Sequence, residues 1–334
     1  MSAPDLTGQR VLLIAPRFFG YEVEIREELE RRGAVVDFIL DRPFESALMK
    51  AMARFARAWV MPLADRHVRQ SVADLGGTAY DLVLVINGQT LSRQVVSELR
   101  AANPAARFVL YLWDSAQNRA SSVAMSDLFD WVLTFDPVDA ERHGMRFRPL
   151  FYGQGYAVPH NEAPDLDLSF IGTIHTDRYA IASRVVGQLP PERKAWTYFY
   201  LQAPWVFRVQ KILNRNFSGA RIEEFAFDPL PKATVQDVFR RSLAVLDIEH
   251  PRQTGLTIRT LEALGARKKF VTTNPGIVGY DFYTADNIAL IDRTDPQVPA
   301  GFLETPYRPL DEAIYYRYSI AGWLDEVLGD GEGS

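Results

Sequence analysis

Short runs of uninterrupted apolar residues alternate with charged, helix-patterned stretches along most of this sequence. RVLLIA (Arg10 to Ala15), VVDFIL (Val35 to Leu40), LVLVI (Leu82 to Ile86), FVLYLW (Phe108 to Trp113), WVLTF (Trp131 to Phe135) and Phe147 to Leu150 read as strands. Between them, Glu22 to Arg32, ended by Gly33, and Ser92 to Ala102 read as helices. A strand that is apolar at every position has both faces buried, which requires a parallel sheet covered by helices on both sides. The pattern therefore predicts an α/β protein.

The alternation breaks once. Tyr156 to Pro164 (YAVPHNEAP) mixes prolines with polar residues and reads as an interdomain linker. A second series follows. Leu168 to Ile171, Trp196 to Tyr200, Leu243 to Ile248, Phe270 to Thr272 and Asn287 to Ile291 read as strands. Arg178 to Gln188, Trp205 to Leu213, Val235 to Arg241 and Ile258 to Leu264 read as helices, and Leu310 to Leu328 as one last helix. The 334 residues exceed one ordinary core and suit two domains of roughly 150 each. The expected domains are 1–158 and 165–309, with the 310–328 helix a candidate to pack back on the first. Two successive open sheets predict a cleft, and such sheets bind ligands at the carboxyl ends of their strands. Functional residues are expected just after strands.

Composition narrows the chemistry. The formal net charge is -5, against a general nucleic-acid binder, so no nucleic-acid partner is expected. There are no cysteines, which excludes disulfides, thiolate metal sites and a cysteine nucleophile. The N-terminus, MSAPDLTGQR, lacks a signal-peptide layout, and no apolar run approaches the roughly 18 residues of a membrane span, so a cytoplasmic location is expected. The first strand is not followed by a GxGxxG fingerprint, and no GxxxxGK[ST] occurs, so neither a nicotinamide cofactor nor a P-loop is expected. Asp165-Leu166-Asp167 matches a DxD metal pattern but precedes a strand, at the wrong end of a sheet. The five histidines lack ligand spacing, and no metal is expected.

The most informative stretch is HPRQTGLTIRTLEALGA, His250 to Ala266. It leaves the strand ending near Ile248 and enters a helix near Thr257. Gly255 permits a turn with positive φ and the close approach of a ligand. The amides and dipole of a helix start make an anion site, and Thr254 or Thr257 can cap the helix or donate to a phosphate. His250, Gln253 and Leu256 complete the candidate anion loop. Arg259 and Glu262 share one helix face. They suit a diphosphate and a ribose respectively, or they simply pair on the surface. Glu249 faces a reacting ligand or forms a buried pair with an arginine.

Other loops after strands supply further candidates. Gly172, Thr173 and Arg178 suit a diphosphate, and His175 is a candidate catalytic group or a solvated histidine. In the first series Phe19, Gly20 and Tyr21 follow strand one, and Asn87 and Gln89 follow strand three. These five are candidate acceptor contacts, against a plain turn with Phe18 and Phe19 packed inward. Asp114, after strand four, is a candidate base for an acceptor hydroxyl, or a cap or partner of Arg119. Asp136, before Pro137, reads as a helix cap. Ala47 to Gln70 carries Lys50, Arg54, Arg57, Arg66 and Arg69 among Met49, Met52, Phe55, Trp59 and Met61, interrupted by Pro62. This run, and Trp205 to Arg215, are either peripheral contacts with an anionic membrane or helices with one buried face.

The segment Gly255 to Asn274 (GLTIRTLEALGARKKFVTTN) resembles the donor-binding segment of bacterial cell-surface polysaccharide glycosyltransferases of the GT-B fold. Their pattern of Arg, two residues, Glu, a small-residue turn and a strand is met by Arg259, Glu262, Gly265-Ala266 and Lys269 to Thr272. Tyr111 to Gly144 and Ser169 to Arg178 resemble other parts of the same enzymes. The resemblance implies two Rossmann-like domains, a metal-independent transfer and a nucleotide-diphosphate sugar as donor. It implies that Glu262 holds the donor ribose while Arg259 and the helix start face the diphosphate. The acceptor is expected to be a saccharide or lipid-linked saccharide. The Glu-x7-Glu pattern of retaining relatives is half met, since Gly255 stands seven residues before Glu262, and stereochemistry stays open. A nucleotide-sugar epimerase and a non-catalytic saccharide-binding or assembly subunit are the alternative readings.

Overall fold

The structure is a computed structural model that describes residues 4–41, 57–76, 79–157, 163–251 and 253–329. Residues 47–56 of the basic aromatic run, most of the expected linker, and Arg252 lie outside the described residues. Two compact units divide the chain: Met1–Leu150 with Ile320–Ser334, and Phe151–Ser319.

The first unit is built on a six-stranded sheet. Its strands are β1 (Arg10–Ala15), β2 (Val35–Leu40), β3 (Leu82–Ile86), β4 (Arg107–Leu112), β5 (Trp131–Thr134) and β6 (Arg146–Phe147), in the order β2-β1-β3-β4-β5-β6. Every pairing is parallel. β3 is buried at all of its positions, as its unbroken apolar sequence requires. β6 is shorter than Phe147 to Leu150 predicts, because Pro149 has no N–H to offer a ladder. The helices α1 (Tyr21–Arg31), α2 (Arg57–Asp74), α3 (Arg93–Ala102), α4 (Ala120–Val123) and α5 (Pro137–His143) lie in the connections. Ser92 caps α3 by accepting from Val95 N, and Asp136 caps α5 by accepting from the Val138 and Asp139 amides. α2 runs through Pro62 without ending there, contrary to the expected interruption.

The second unit repeats the plan. Its strands are β7 (Leu166–Thr173), β8 (Ala195–Tyr200), β9 (Phe225–Ala226), β10 (Ser242–Asp247), β11 (Lys269–Thr272) and β12 (Ile288–Leu290). Their order is β12-β11-β10-β7-β8-β9, again all parallel. The helices α6 (Arg178–Gly187), α7 (Pro204–Leu213), α8 (Lys232–Arg241) and α9 (Ile258–Gly265) connect them. An aromatic core of Phe170, Tyr179, Phe199, Phe217 and Phe225 fills the space beneath α6 and α7.

The tail is two helices, not the single one expected: α10 (Glu312–Arg317) in the second unit and α11 (Ile320–Leu328) in the first. The break has a backbone cause. Tyr152 N donates to Tyr318 O at 2.9 Å, and Tyr152 bridges Ser319 in parallel, so the Tyr318 carbonyl is taken from the helix ladder. Within the first unit, Trp323 on α11 is fully buried edge-on against Tyr111, with centroids 4.9 Å apart. Arg32 holds Asp325 at 2.6 Å and the Ala321 carbonyl at 2.6 Å. Replacing a buried tryptophan by alanine removes packing and leaves a cavity. Trp323→Ala is expected to cost about 3–5 kcal/mol in chemical denaturation of the full chain.

Candidate functional site

The second sheet reverses its strand order between β7 and β10, where a ligand crevice is expected in an open α/β sheet. β7 continues through Gly172 and Thr173, which pair with Phe199 and Tyr200, so these two residues end a strand and do not open the loop. A side chain at position 172 would meet the Phe170 ring at 3.1 Å and Arg178 Nη1 at 3.7 Å. Glycine leaves that space to the guanidinium. Arg178 opens α6 and turns back to donate from Nη1 to Thr173 O at 3.1 Å. Its Nε is buried with no hydrogen-bond partner among the described residues. Burial holds its pKa below the usual arginine range, while Asp247 and Glu249 pull the other way and Arg293 and Arg259 add to the lowering. No carboxylate among the described residues forms an ion pair with Arg178.

His175 lies half buried in the same loop, with its ring centroid 5.2 Å from that of His250. Burial pushes its pKa down to about 4, aided by Arg178 and His250 and opposed by Asp177. The imidazole is therefore neutral at pH 7 and can accept a hydrogen bond or a proton.

The loop after β10 is more tightly closed than its sequence suggests. Thr257 caps α9 by accepting from Thr260 N, and its hydroxyl donates to Asp247 Oδ2 at 2.7 Å. Thr260 donates to the same oxygen at 2.6 Å. The Thr257 proton is thus spent on Asp247 and is not available to a phosphate. Gly255 and Leu256 are buried, and the positive φ values found among the described residues fall elsewhere. Gln253 reaches back to the Gly255 carbonyl at 3.1 Å, and Thr254 stays exposed.

Arg259 and Glu262 do pair, at 2.5 Å, but not on the surface. The Glu262 side chain is 3% exposed, and its other oxygen accepts from Tyr156 Oη at 2.6 Å. The carboxylate expected to receive a ribose directly is instead enclosed, with Arg259 above the Phe239 ring at 5.8 Å. Gly265, at the end of α9, lies where a Cβ would come within 2.5 Å of the Tyr152 ring.

Glu249 takes the second of its two readings, the buried pair with an arginine. It is buried, accepts from Thr273 Oγ1 at 2.5 Å and forms an ion pair with Arg293, so it is not an exposed catalytic group. Arg293, just beyond β12, also grips Asp177 through Nε at 2.8 Å and Nη2 at 3.1 Å, and the Glu249 carbonyl at 2.7 Å. It ties together the connections that follow β7, β10, β11 and β12. Sequence reasoning missed it, although an arginine directly after the last strand was the available signal.

In the first unit the strand order reverses between β1 and β3. Phe19 and Gly20 take consecutive left-handed conformations, with φ 53 and 79, and Gly20 precedes α1. Phe18 and Phe19 are 40% and 56% exposed, so they do not pack inward. The Phe18 ring lies 5.6 Å from Trp113 and 4.8 Å from Phe19. Tyr21 and Asn87, by contrast, are buried and cannot offer open acceptor contacts. Asn87 has φ 62 and its Oδ1 accepts from Trp113 N at 3.1 Å, which fixes one loop to the next. The Gln89 amide is held by Asp41 at 3.0 Å, with its side chain half buried. Asp114 closes its own turn on Ser115 N, Asn118 and Arg119, the last at 2.6 Å, with 38% of its side chain exposed. Asp165 pairs with Arg241 and Asp167 with Arg193, both near the amino end of β7. Among the described residues no group of three His, Cys, Asp or Glu could hold a metal ion, and no helix is long and apolar enough to cross a membrane.

Two measurements test this geometry. Arg293→Ala strands the buried Glu249 carboxylate and is expected to lower stability by about 3–5 kcal/mol in denaturant unfolding, with Arg293→Lys failing to restore the forked contacts. The depressed His175 pKa means that the unfolded chain takes up protons before the native one. Its effect on stability is nil above about pH 6.5 and grows as a loss while pH falls toward about 4. His175→Gln is expected to flatten that part of the stability profile.

No protein-family model matches the chain, and no curated protein matches it by sequence. Solved structures do match its fold. A glycosyltransferase from Rickettsia africae ESF-5 superposes with a TM-score of 0.58 at 9% identity, over 97% of this chain and 99% of that one. Anabaena HepE in complex with UDP-glucose gives 0.58 at 10% identity, over 96% and 98%. The catalytic domain of starch synthase IV from Arabidopsis thaliana, bound to ADP and acarbose, gives 0.52 at 9% identity, over 97% and 96%. The two parallel six-stranded sheets of this chain thus have the GT-B fold that these glycosyltransferases share.

Proposed function

We propose that the chain is a glycosyltransferase that moves a sugar from a nucleotide-diphosphate sugar to a saccharide or lipid-linked saccharide in cell-surface polysaccharide synthesis. The observation that carries this reading is Arg178, an enclosed guanidinium with no carboxylate among the described residues paired to it, set at the β7/β10 reversal beside Arg259 and Arg293. Such a group is costly to bury until an anion joins it. A diphosphate supplies two phosphates that a guanidinium fork binds in-plane. HepE, of the same fold, is a protein bound to UDP-glucose, which favours a nucleotide sugar as that anion.

In the reaction the bond from the sugar's anomeric carbon to the diphosphate oxygen breaks, and a bond to the acceptor oxygen forms. The acceptor hydroxyl loses its proton to a base, for which Asp114 is the candidate. Charge accumulates on the departing nucleoside diphosphate, where Arg178, Arg259 and the start of α9 stabilise it without a metal. Glu262 takes a positioning part, since its carboxylate aims Arg259, and it meets a ribose only if the Tyr156 hydroxyl gives way. The exposed Phe18 and Phe19 rings, beside the half-buried Trp113, offer flat faces to an acceptor saccharide.

Thermal denaturation with UDP, GDP, CDP, ADP and TDP tests the donor side. At least one diphosphate is expected to raise the melting point, by about 2.7 kcal/mol of stability at a hundredfold excess over its Kd. Arg178→Ala is expected to abolish that shift while leaving the unliganded melting point in place. A flat response to every nucleotide overturns the proposal. On the acceptor side, Phe19→Ala is expected to raise acceptor KM roughly tenfold with the nucleotide shift unchanged.

A further inference from the structure

One face of α7 has no partner among the described residues of its own unit. Phe207 points inward and packs on Phe225, with centroids 5.0 Å apart, and Val206 leans on the same core. On the opposite side Trp205, Val209, Ile212 and Leu213 are 65%, 42%, 82% and 78% exposed. Their spacing of four, three and one residues puts all four on one helical stripe. A monomeric protein rarely leaves so many large apolar side chains together in water unless the surface binds something.

The charge beside the stripe says what. Arg208 falls along one edge of it and Arg215 opens the short turn just beyond its end; both are exposed, and neither forms an ion pair with a described carboxylate. Lys211, further round, donates to the Ala220 carbonyl and lies 5.7 Å from the Phe207 ring centroid. No aspartate or glutamate occurs from Pro204 to Phe217, in a chain whose overall charge is -5. The local cationic edge therefore runs against the composition of the whole. An apolar stripe bearing a tryptophan, bordered by arginines and free of acids, matches an anionic bilayer surface: the stripe enters the acyl boundary and the arginines meet headgroup phosphates. A second copy of the chain fits less well, because a two-fold contact through this face would bring the arginine edges of both copies together.

We propose that α7 docks the protein on the surface of an anionic phospholipid bilayer, with Trp205, Val209, Ile212 and Leu213 seated at the interface and Arg208 and Arg215 on the headgroups. The proposal stands independently of the sugar-transfer reading. The test is sedimentation of the full chain with vesicles of phosphatidylcholine alone or mixed with phosphatidylglycerol. The chain is expected to pellet with the mixed vesicles and much less with phosphatidylcholine, and to be released by salt. Trp205→Ala with Ile212→Ser, and separately Arg208→Glu with Arg215→Glu, are each expected to lower partitioning about tenfold or more. Both pairs are exposed, so the melting point and any nucleotide-induced shift should be retained. Absence of binding to anionic vesicles, or binding that neither pair of substitutions weakens, overturns the proposal. So does concentration-dependent self-association that Trp205→Ala with Ile212→Ser abolishes, seen without vesicle binding, since the stripe is then a contact between copies.

Discussion

The Arg293 guanidinium sits among Asp177, Glu249 and Thr273, and the carboxyl edge of the second sheet is arranged around it. Each partner belongs to a different strand-to-helix or strand-to-loop connection, so one cation fixes the relative positions of several otherwise independent segments. Burial alone would lower its pKa, but the Asp177 and Glu249 contacts outweigh that and keep it firmly charged. The arrangement also sets the local charge balance. Arg293 consumes Asp177 and Glu249, Arg259 consumes Glu262, and Asp247 is occupied by the Thr257 and Thr260 hydroxyls. Among the described arginines at this edge, Arg178 is the one left without a carboxylate. The anion site follows from how the neighbouring carboxylates are distributed as much as from where the arginine stands.

Much of the fold was legible because its strands are buried on both faces. RVLLIA and LVLVI declare themselves by uninterrupted apolarity, and the caps at Ser92 and Asp136 act locally, so their sequences suffice. The tail was misread because its break depends on a partner far along the chain: only the approach of Tyr152 takes the Tyr318 carbonyl out of the helix. At the candidate site the pattern was similar. The spacing of Arg259 and Glu262 correctly put them on one face, yet spacing cannot tell whether that face looks outward or onto Tyr156 and Phe239. Glu249 could be read as catalytic or as buried against an arginine, and the sequence did not decide because that arginine lies 44 positions later. Asn87 and Tyr21 follow strands as ligand contacts do, but a position after a strand serves equally well to lock one loop to the next, as Asn87 does with Trp113.

Two exposed apolar surfaces differ in kind. Phe18, Phe19 and Trp113 form a small aromatic shelf at the carboxyl edge of the first sheet, held partly by the left-handed Phe19 backbone. The stripe on α7 is mostly aliphatic with one tryptophan and a cationic border, lies on a helix flank, and belongs to the second unit. A shelf of that size suits sugar rings, whereas a ten-residue stripe suits something extended and flat.

The first unit is discontinuous in sequence, since it comprises Met1–Leu150 and Ile320–Ser334. During synthesis its sheet leaves the ribosome before the second unit, yet Trp323, which covers Tyr111, is made only after that unit. The uninterrupted segment Phe151–Ser319 emerges complete before that. The nascent chain therefore finishes its second half before its first, and the earlier sheet must wait with an uncovered aromatic face until α11 arrives, the interval in which such a chain most needs protection from aggregation.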